Sequence, residues 1–209
     1  MAPGDQEQIG KGVPDVSEFV AHWGYLAIFV IVVLGNVGLP VPEESALLAG
    51  GYLVWRGDLM WSGVLTVGIV SAVAGDNVGY WIGRRYGPRV LDGLRRLVGI
   101  TPQRFQSMRT FMVRWGPLGV FVARFIPGLR FLAGPLAGTV ELRFPAFMTA
   151  NVLGAVVYVP VIVAAGFGVG YGAGTHVERI LRTLGPVEYV VLTVAVVAGG
   201  TFFLWRARA

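Results

Sequence analysis

Five charged residues stand where charge is hard to keep. Glu43, Glu44, Asp76, Arg124 and Arg130 all interrupt long apolar runs. An Asp or Arg at the centre of a membrane helix costs about 2.5–3.5 kcal/mol on insertion scales, so such groups pair or line a wet cavity. Guanidinium matches phosphate oxygens in bidentate geometry, which makes Arg124 and Arg130 the candidate contacts for an anionic substrate. Glu44 and Asp76 would balance them when no substrate is bound, and Glu43 could face the mouth of the same site. Carboxylates held away from water can take up and release protons, so Glu44, Asp76 and Glu43 are the candidates for coupling to a proton gradient. The competing reading is a structural ion-pair cluster, which gains little from burying so many charges.

No catalytic constellation accompanies them. The two histidines, His22 and His176, are far apart without metal-ligand spacing, and there is no cysteine. Neither a P-loop nor a nucleophile elbow occurs. A transporter is expected, then, rather than an enzyme, with no cofactor and no metal.

The elements that must hold these charges are membrane segments. The chain has 209 residues, 55% hydrophobic and 14% charged, against about 25% charged in soluble domains. Leu59–Ile82, Phe144–Gly170 and Tyr189–Trp205 are long enough to cross a bilayer of about 30 Å. Two further segments are broken in the middle, at Pro40-Val41-Pro42-Glu43-Glu44 and at Arg124-Phe125-Ile126-Pro127-Gly128-Leu129-Arg130. Pro40, Pro42 and Pro127 remove backbone donors, and Gly128 permits a tight turn. Each broken segment, residues 24–55 and 116–140, reads as a re-entrant hairpin, since irregular backbone at membrane depth must be buried or line a cavity. Asn77, Tyr80, Asn151 and Tyr158 are polar groups on crossing helices, read first as interhelical hydrogen bonds. The glycines from Gly166 to Gly174 read as close packing and a helix end.

The halves repeat. Trp23-Gly24-x-Leu26-x-x-Phe29 returns as Trp115-Gly116-x-Leu118-x-x-Phe121, and Asp58-Leu59-x-Trp61 as Glu141-Leu142-x-Phe144. Residues 84–114 carry eight arginines against one acid, Asp92, which sets this loop, and two crossings later the C-terminus, in the cytoplasm. This concentration of the +5 net charge in one loop argues against a nucleic-acid partner. The loop reads as two amphipathic pieces, the second starting at Thr101-Pro102. The hairpins then enter from opposite faces, giving an all-α integral membrane fold with an inverted-topology repeat, three crossing helices and amphipathic surface helices. Residues 1–22 form an amphipathic surface segment, 23–174 the transport unit and 187–205 a final crossing helix.

Three motifs then carry a resemblance. Gly38-Leu39-Pro40-Val41-Pro42-Glu43-Glu44, Gly75-Asp76-x-x-x-Tyr80-x-x-Gly83-Arg84-x-x-Gly87 and Arg124-Phe125-Ile126-Pro127-Gly128-x-Arg130 together resemble the DedA family, the bacterial branch of the SNARE-associated or VTT-domain proteins. The resemblance implies two facing re-entrant hairpins and a plasma-membrane lipid transporter. Undecaprenyl phosphate is the leading substrate, phospholipid flipping or scrambling the allied one, and proton coupling a family-level suggestion. A proton-coupled exporter of small molecules and a non-transporting scaffold are the competing readings. Many members carry another Glu nine residues before the acid that follows Pro-x-Pro; here that position is Gly35, followed by Asn36.

Overall fold

The structure is a computed structural model. It describes residues 16–39, 41–87, 91, 93, 94, 96, 99–126 and 128–183, with backbone alone for 16–22 and 173–183. The ordered elements are α1 Val16–Val37, α2 Glu43–Arg56, α3 Trp61–Tyr86, α4 Pro102–Ala123, α5 Arg130–Thr139 and α6 Phe144–Thr183. No strand occurs among the described residues, as an all-α reading requires. α3 and the Phe144–Gly172 part of α6 are long and apolar enough to cross a membrane. The third expected crossing, Tyr189–Trp205, lies outside the described residues.

Local chemistry explains the boundaries. Pro42 is the N-cap of α2, where a missing N–H costs nothing. Glu43 and Glu44 follow in the first turn, against the positive end of the helix. Thr101 caps α4, its hydroxyl accepting from the Arg104 N–H at 3.4 Å, with Pro102 as the first helical residue. Gly116 has φ 52° and ψ −126° and divides α4 into two stretches, a conformation an L side chain would strain. Two expectations change. α1 begins at Val16, so the amphipathic turns and the first apolar arm are one helix. α6 runs on to Thr183, so the glycines after Phe144 do not end it.

Two halves, α1–α3 and α4–α6, are built alike. α3 starts at Trp61 and α6 at Phe144, the matching positions of the repeated motif. A left-handed residue follows each short arm, Gly57 (φ 83°) after α2 and Glu141 (φ 56°) after α5. The short arms are exchanged: α2 packs on α6 and α5 packs on α3. Glycines set both contacts. A Cβ on Gly51 would strike the Val163 carbonyl, and one on Gly166 the Leu48 carbonyl. Likewise Gly138 lies against the Tyr80 carbonyl, Gly134 against that of Asp76, and Gly83 against that of Pro135. Small residues that let backbones touch are how helices associate in lipid, where apolar area alone supplies no driving force.

Two apolar cores result. One gathers Ile28, Val32, Leu47, Val64, Val159 and Val163; the other gathers Tyr80, Met112, Leu132, Leu136 and Phe147. Along α3, Asp76 falls between the last residue of the first core, Ala72, and the first of the second, Tyr80. Along α6, Asn151 falls between Ala150 and Ala155, which again belong to different cores. The polar groups are therefore sandwiched between two apolar masses.

Candidate functional site

Arg124 is the C-cap residue of α4. Its guanidinium forms an ion pair with Asp76 of α3 and donates to Asn151 Oδ1 of α6 at 2.6 Å. The two charged side chains are only 5% and 4% exposed. Gly154, almost one turn beyond Asn151, makes room: a Cβ there would lie 3.3 Å from Arg124 Nε and 3.4 Å from Cδ. Asn151 spans the gap between the crossing helices, since its amide also donates to the Val73 carbonyl of α3 at 3.3 Å. The second Asp76 oxygen, Oδ1, is buried with no hydrogen-bond partner among the described residues.

Arg130 is the first residue of α5. It pairs with Glu44, lies 3.7 Å from Glu43 Oε1 through its Nε, and donates to the Tyr158 hydroxyl of α6. Its guanidinium also stands 5.9 Å from the Tyr158 ring centroid, within cation–π range. Asn36 of α1 holds Glu43 from the other side, donating to its Oε2 and to the Val32 carbonyl, the latter at 2.8 Å. The first turns of α2 and α5 therefore meet, one bringing two acids and the other a base. Helix N-termini beside guanidinium groups form an anion-binding arrangement, and here the Arg130 guanidinium is engaged by the protein's own carboxylates. Glu43, Glu44 and Asp76 outnumber Arg124 and Arg130, so the described cluster carries one excess negative charge when fully ionised.

All five charges singled out in the sequence come together, with their emphasis reversed in one respect. Glu43 is the buried acid, its side chain 4% exposed, whereas Glu44 is 36% exposed and forms the cluster's edge toward the outside. Asn151 joins the cluster as well as bridging helices. Asn77 and Tyr80 do not join it. Asn77 donates to the Val73 carbonyl and toward Met148 Sδ, while Tyr80 donates to the Leu142 carbonyl at 2.6 Å and stacks on Phe147. Gly128 adopts φ 86°, the turn expected of it; Pro40 and Pro127 lie outside the described residues.

Sequence reading missed Asn36 and undervalued Tyr158. A signal existed for Tyr158: Asn151, Gly154 and Tyr158 recur at i, i+3, i+7, one face of a helix. Asn36 had a weaker signal, a lone amide inside an apolar run. Gly35 also acquires a meaning. A Cβ at Gly35 would lie 3.1 Å from Glu43 Cβ and 3.3 Å from Oε2, so a larger side chain there must displace Glu43. With Gly35 and Asn36, the chain meets Glu43 with an amide rather than with a second acid.

Neither main surface groove opens onto the charges. One runs along α4 past Gln106 and Trp115, and the other lies between α4 and α6. No group of three or more metal-ligating side chains occurs among the described residues.

Comparison with known proteins gives a consistent relationship. The VTT domain model matches residues 41–168. An uncharacterized membrane protein of Synechocystis sp. is 33% identical over 91% of this chain and 87% of its own. One of Mycobacterium tuberculosis is 33% identical over 85% and 80%, and one of Bacillus subtilis 30% identical over 74% and 96%. No solved structure matches the chain.

Proposed function

We propose that this chain, which belongs to the VTT-domain (DedA) family of bacterial membrane proteins, carries a phosphate-bearing lipid across the plasma membrane, with undecaprenyl phosphate as its leading substrate. The observation behind this reading is the meeting of Arg124 and Arg130, at two helix breaks, with three carboxylates, of which Asp76 and Glu43 are buried. Five charges that merely pinned helices would cost more in desolvation than well-packed apolar residues. α2 and α5, of 14 and 10 residues, reach only about 21 and 15 Å at 1.5 Å per residue. Each is too short for a core of about 30 Å, which favours re-entrant hairpins entering from opposite faces. The arginine-rich segment and the C-terminus are then cytoplasmic.

The charge balance suggests the working step. An arriving phosphate competes with Glu43 and Glu44 for Arg130, and with Asp76 for Arg124. Proton uptake by those carboxylates releases the guanidiniums, so proton and phosphate enter together. Asp76 Oδ1, buried and without a hydrogen-bond partner among the described residues, is one seat for such a proton. No bond of the substrate is broken in this scheme. The same excess of acid over base is the one feature favouring a proton-coupled exporter of small cations, and passive phospholipid scrambling shares the site.

One experiment separates these. The purified protein in liposomes is offered labelled undecaprenyl phosphate and labelled phospholipids, with and without a pH gradient, while free phosphate is monitored. Movement of the polyprenyl phosphate, absent in Arg130→Ala and in the double variant Arg124→Met/Asp76→Leu and without phosphate release, is the expected result. Movement of no lipid by folded protein refutes the carrier.

A further inference from the structure

A groove of about 560 Å³ separates the second stretch of α4 from the start of α6. Pro117, Leu118 and Phe121 form one wall and Ala146, Ala150 and Leu153 the other. Its one other lining residue, Thr149, turns its hydroxyl back onto the Pro145 carbonyl at 2.9 Å, so the surface presented is apolar. The groove exists because Gly116 breaks α4 and lets residues 117–123 turn against α6.

Its position gives it meaning. Phe121 lies within 3.7 Å of a Cβ built on Gly154, the residue over which Arg124 is laid. Ala150 precedes Asn151, which accepts from Arg124. Phe121 therefore lines the apolar trough and also lies beside Gly154, against which the buried Arg124 side chain rests. A molecule with an anionic end and a long hydrocarbon tail is complementary to both parts at once. Leu118 and Leu153 are 52% and 55% exposed at the rim, so the trough opens sideways, toward bilayer in a membrane protein.

We infer that this groove seats the hydrocarbon chain of the lipid whose phosphate is recognised at Arg124. Phe121 is the gate through which head and tail stay joined. The inference rests on the carrier reading for its headgroup and on the groove alone for its tail.

The test uses the full chain in phosphatidylcholine liposomes, with a polyprenyl phosphate carrying a photoreactive group midway along its chain. Illumination and peptide mapping locate the label. Label concentrated at residues 117–121 and 146–153, and reduced about tenfold in Leu118→Trp and Leu153→Trp, is expected, since pocket contacts of one or two carbons are worth that much. Both positions are over half exposed, so added bulk fills the groove without entering the core, and thermal unfolding of each variant checks the fold. Inorganic phosphate, which has no tail to seat, should compete with the probe for Arg124 to the same extent in both variants as in the unaltered chain. Label spread evenly over the lipid-facing helices, or unchanged by either Trp, overturns the inference. So does a cross-link joining two copies through the groove, which would make it a dimer face. A neutral polyprenol probe that labels the groove as strongly supports the chain seat while counting against the phosphate reading alone.

Discussion

Removing Arg124 should destroy the fold and the function by different routes, and a second substitution separates them. Arg124→Met leaves Asp76 as an unpaired carboxylate whose side chain is 4% exposed. Breaking a buried pair in this way costs about 3–5 kcal/mol. The lost bond to Asn151, 2.6 Å long, adds about 1 kcal/mol. Together these approach the whole stability of many domains, about 5–15 kcal/mol, so the single variant should be recovered poorly. Asp76→Leu in the same chain removes the stranded charge, and the double variant should regain most of that loss, a coupling of about 3 kcal/mol or more in the cycle. Unfolding in mixed micelles, followed by the fluorescence of the six tryptophans, measures the cycle. The same proteins in liposomes report lipid movement. A double variant that is stable yet inert is the expected outcome. Near-zero coupling would refute the electrostatic account of the fold, and undiminished transport by the double variant would refute the role given to Arg124.

Three further outcomes follow from the geometry. Asn36→Leu strips Glu43 Oε2 of its amide donor and should lower stability by about 1–3 kcal/mol, read from the same micelle unfolding; Asn36→Gln should not rescue it, because the longer side chain cannot keep both bonds. Gly138→Leu drives side-chain carbons into the Tyr80 carbonyl and should destabilise by about 1–3 kcal/mol or more, visible as loss of monodisperse protein in gel filtration. Glu141 holds φ 56°, which costs a residue with a Cβ about 1–2 kcal/mol. Glu141→Gly should therefore raise the unfolding midpoint with transport unchanged.

The sequence made the charges legible for a simple reason: an ionised group in an apolar run is conspicuous, and burial forces it to find an opposite. That Arg124 and Arg130 would meet Asp76 and Glu44 could be anticipated from that constraint, but not which acid each arginine takes. The helix start at Phe144 was likewise visible, and that at Trp61 was read two residues early, at Leu59, since the repeated motif stood at both. What was not legible is direction within the cluster. Glu43 and Glu44 are adjacent and chemically alike, and only the 100° step between neighbouring helical residues decides which faces inward. Asn36 was hidden because its role depends on α1 meeting the first turn of α2, a contact with no pattern of its own. The exchange of α2 and α5 was hidden too, because glycines mark a close approach without naming the helix that approaches.

That exchange sets an order of assembly. α2 reaches the membrane with two acids in its first turn, but the helix it leans on, α6, and the arginine that answers it, Arg130, are made roughly a hundred residues later, on the order of ten seconds at ordinary rates of synthesis. Until then α2 is too short to cross and has only α1 and α3 beside it, without the close backbone contact that Gly51 and Gly166 make possible with α6. A chain cut between α3 and α4 should accordingly be rescued by supplying the missing half in the same cell, and each half alone should be degraded.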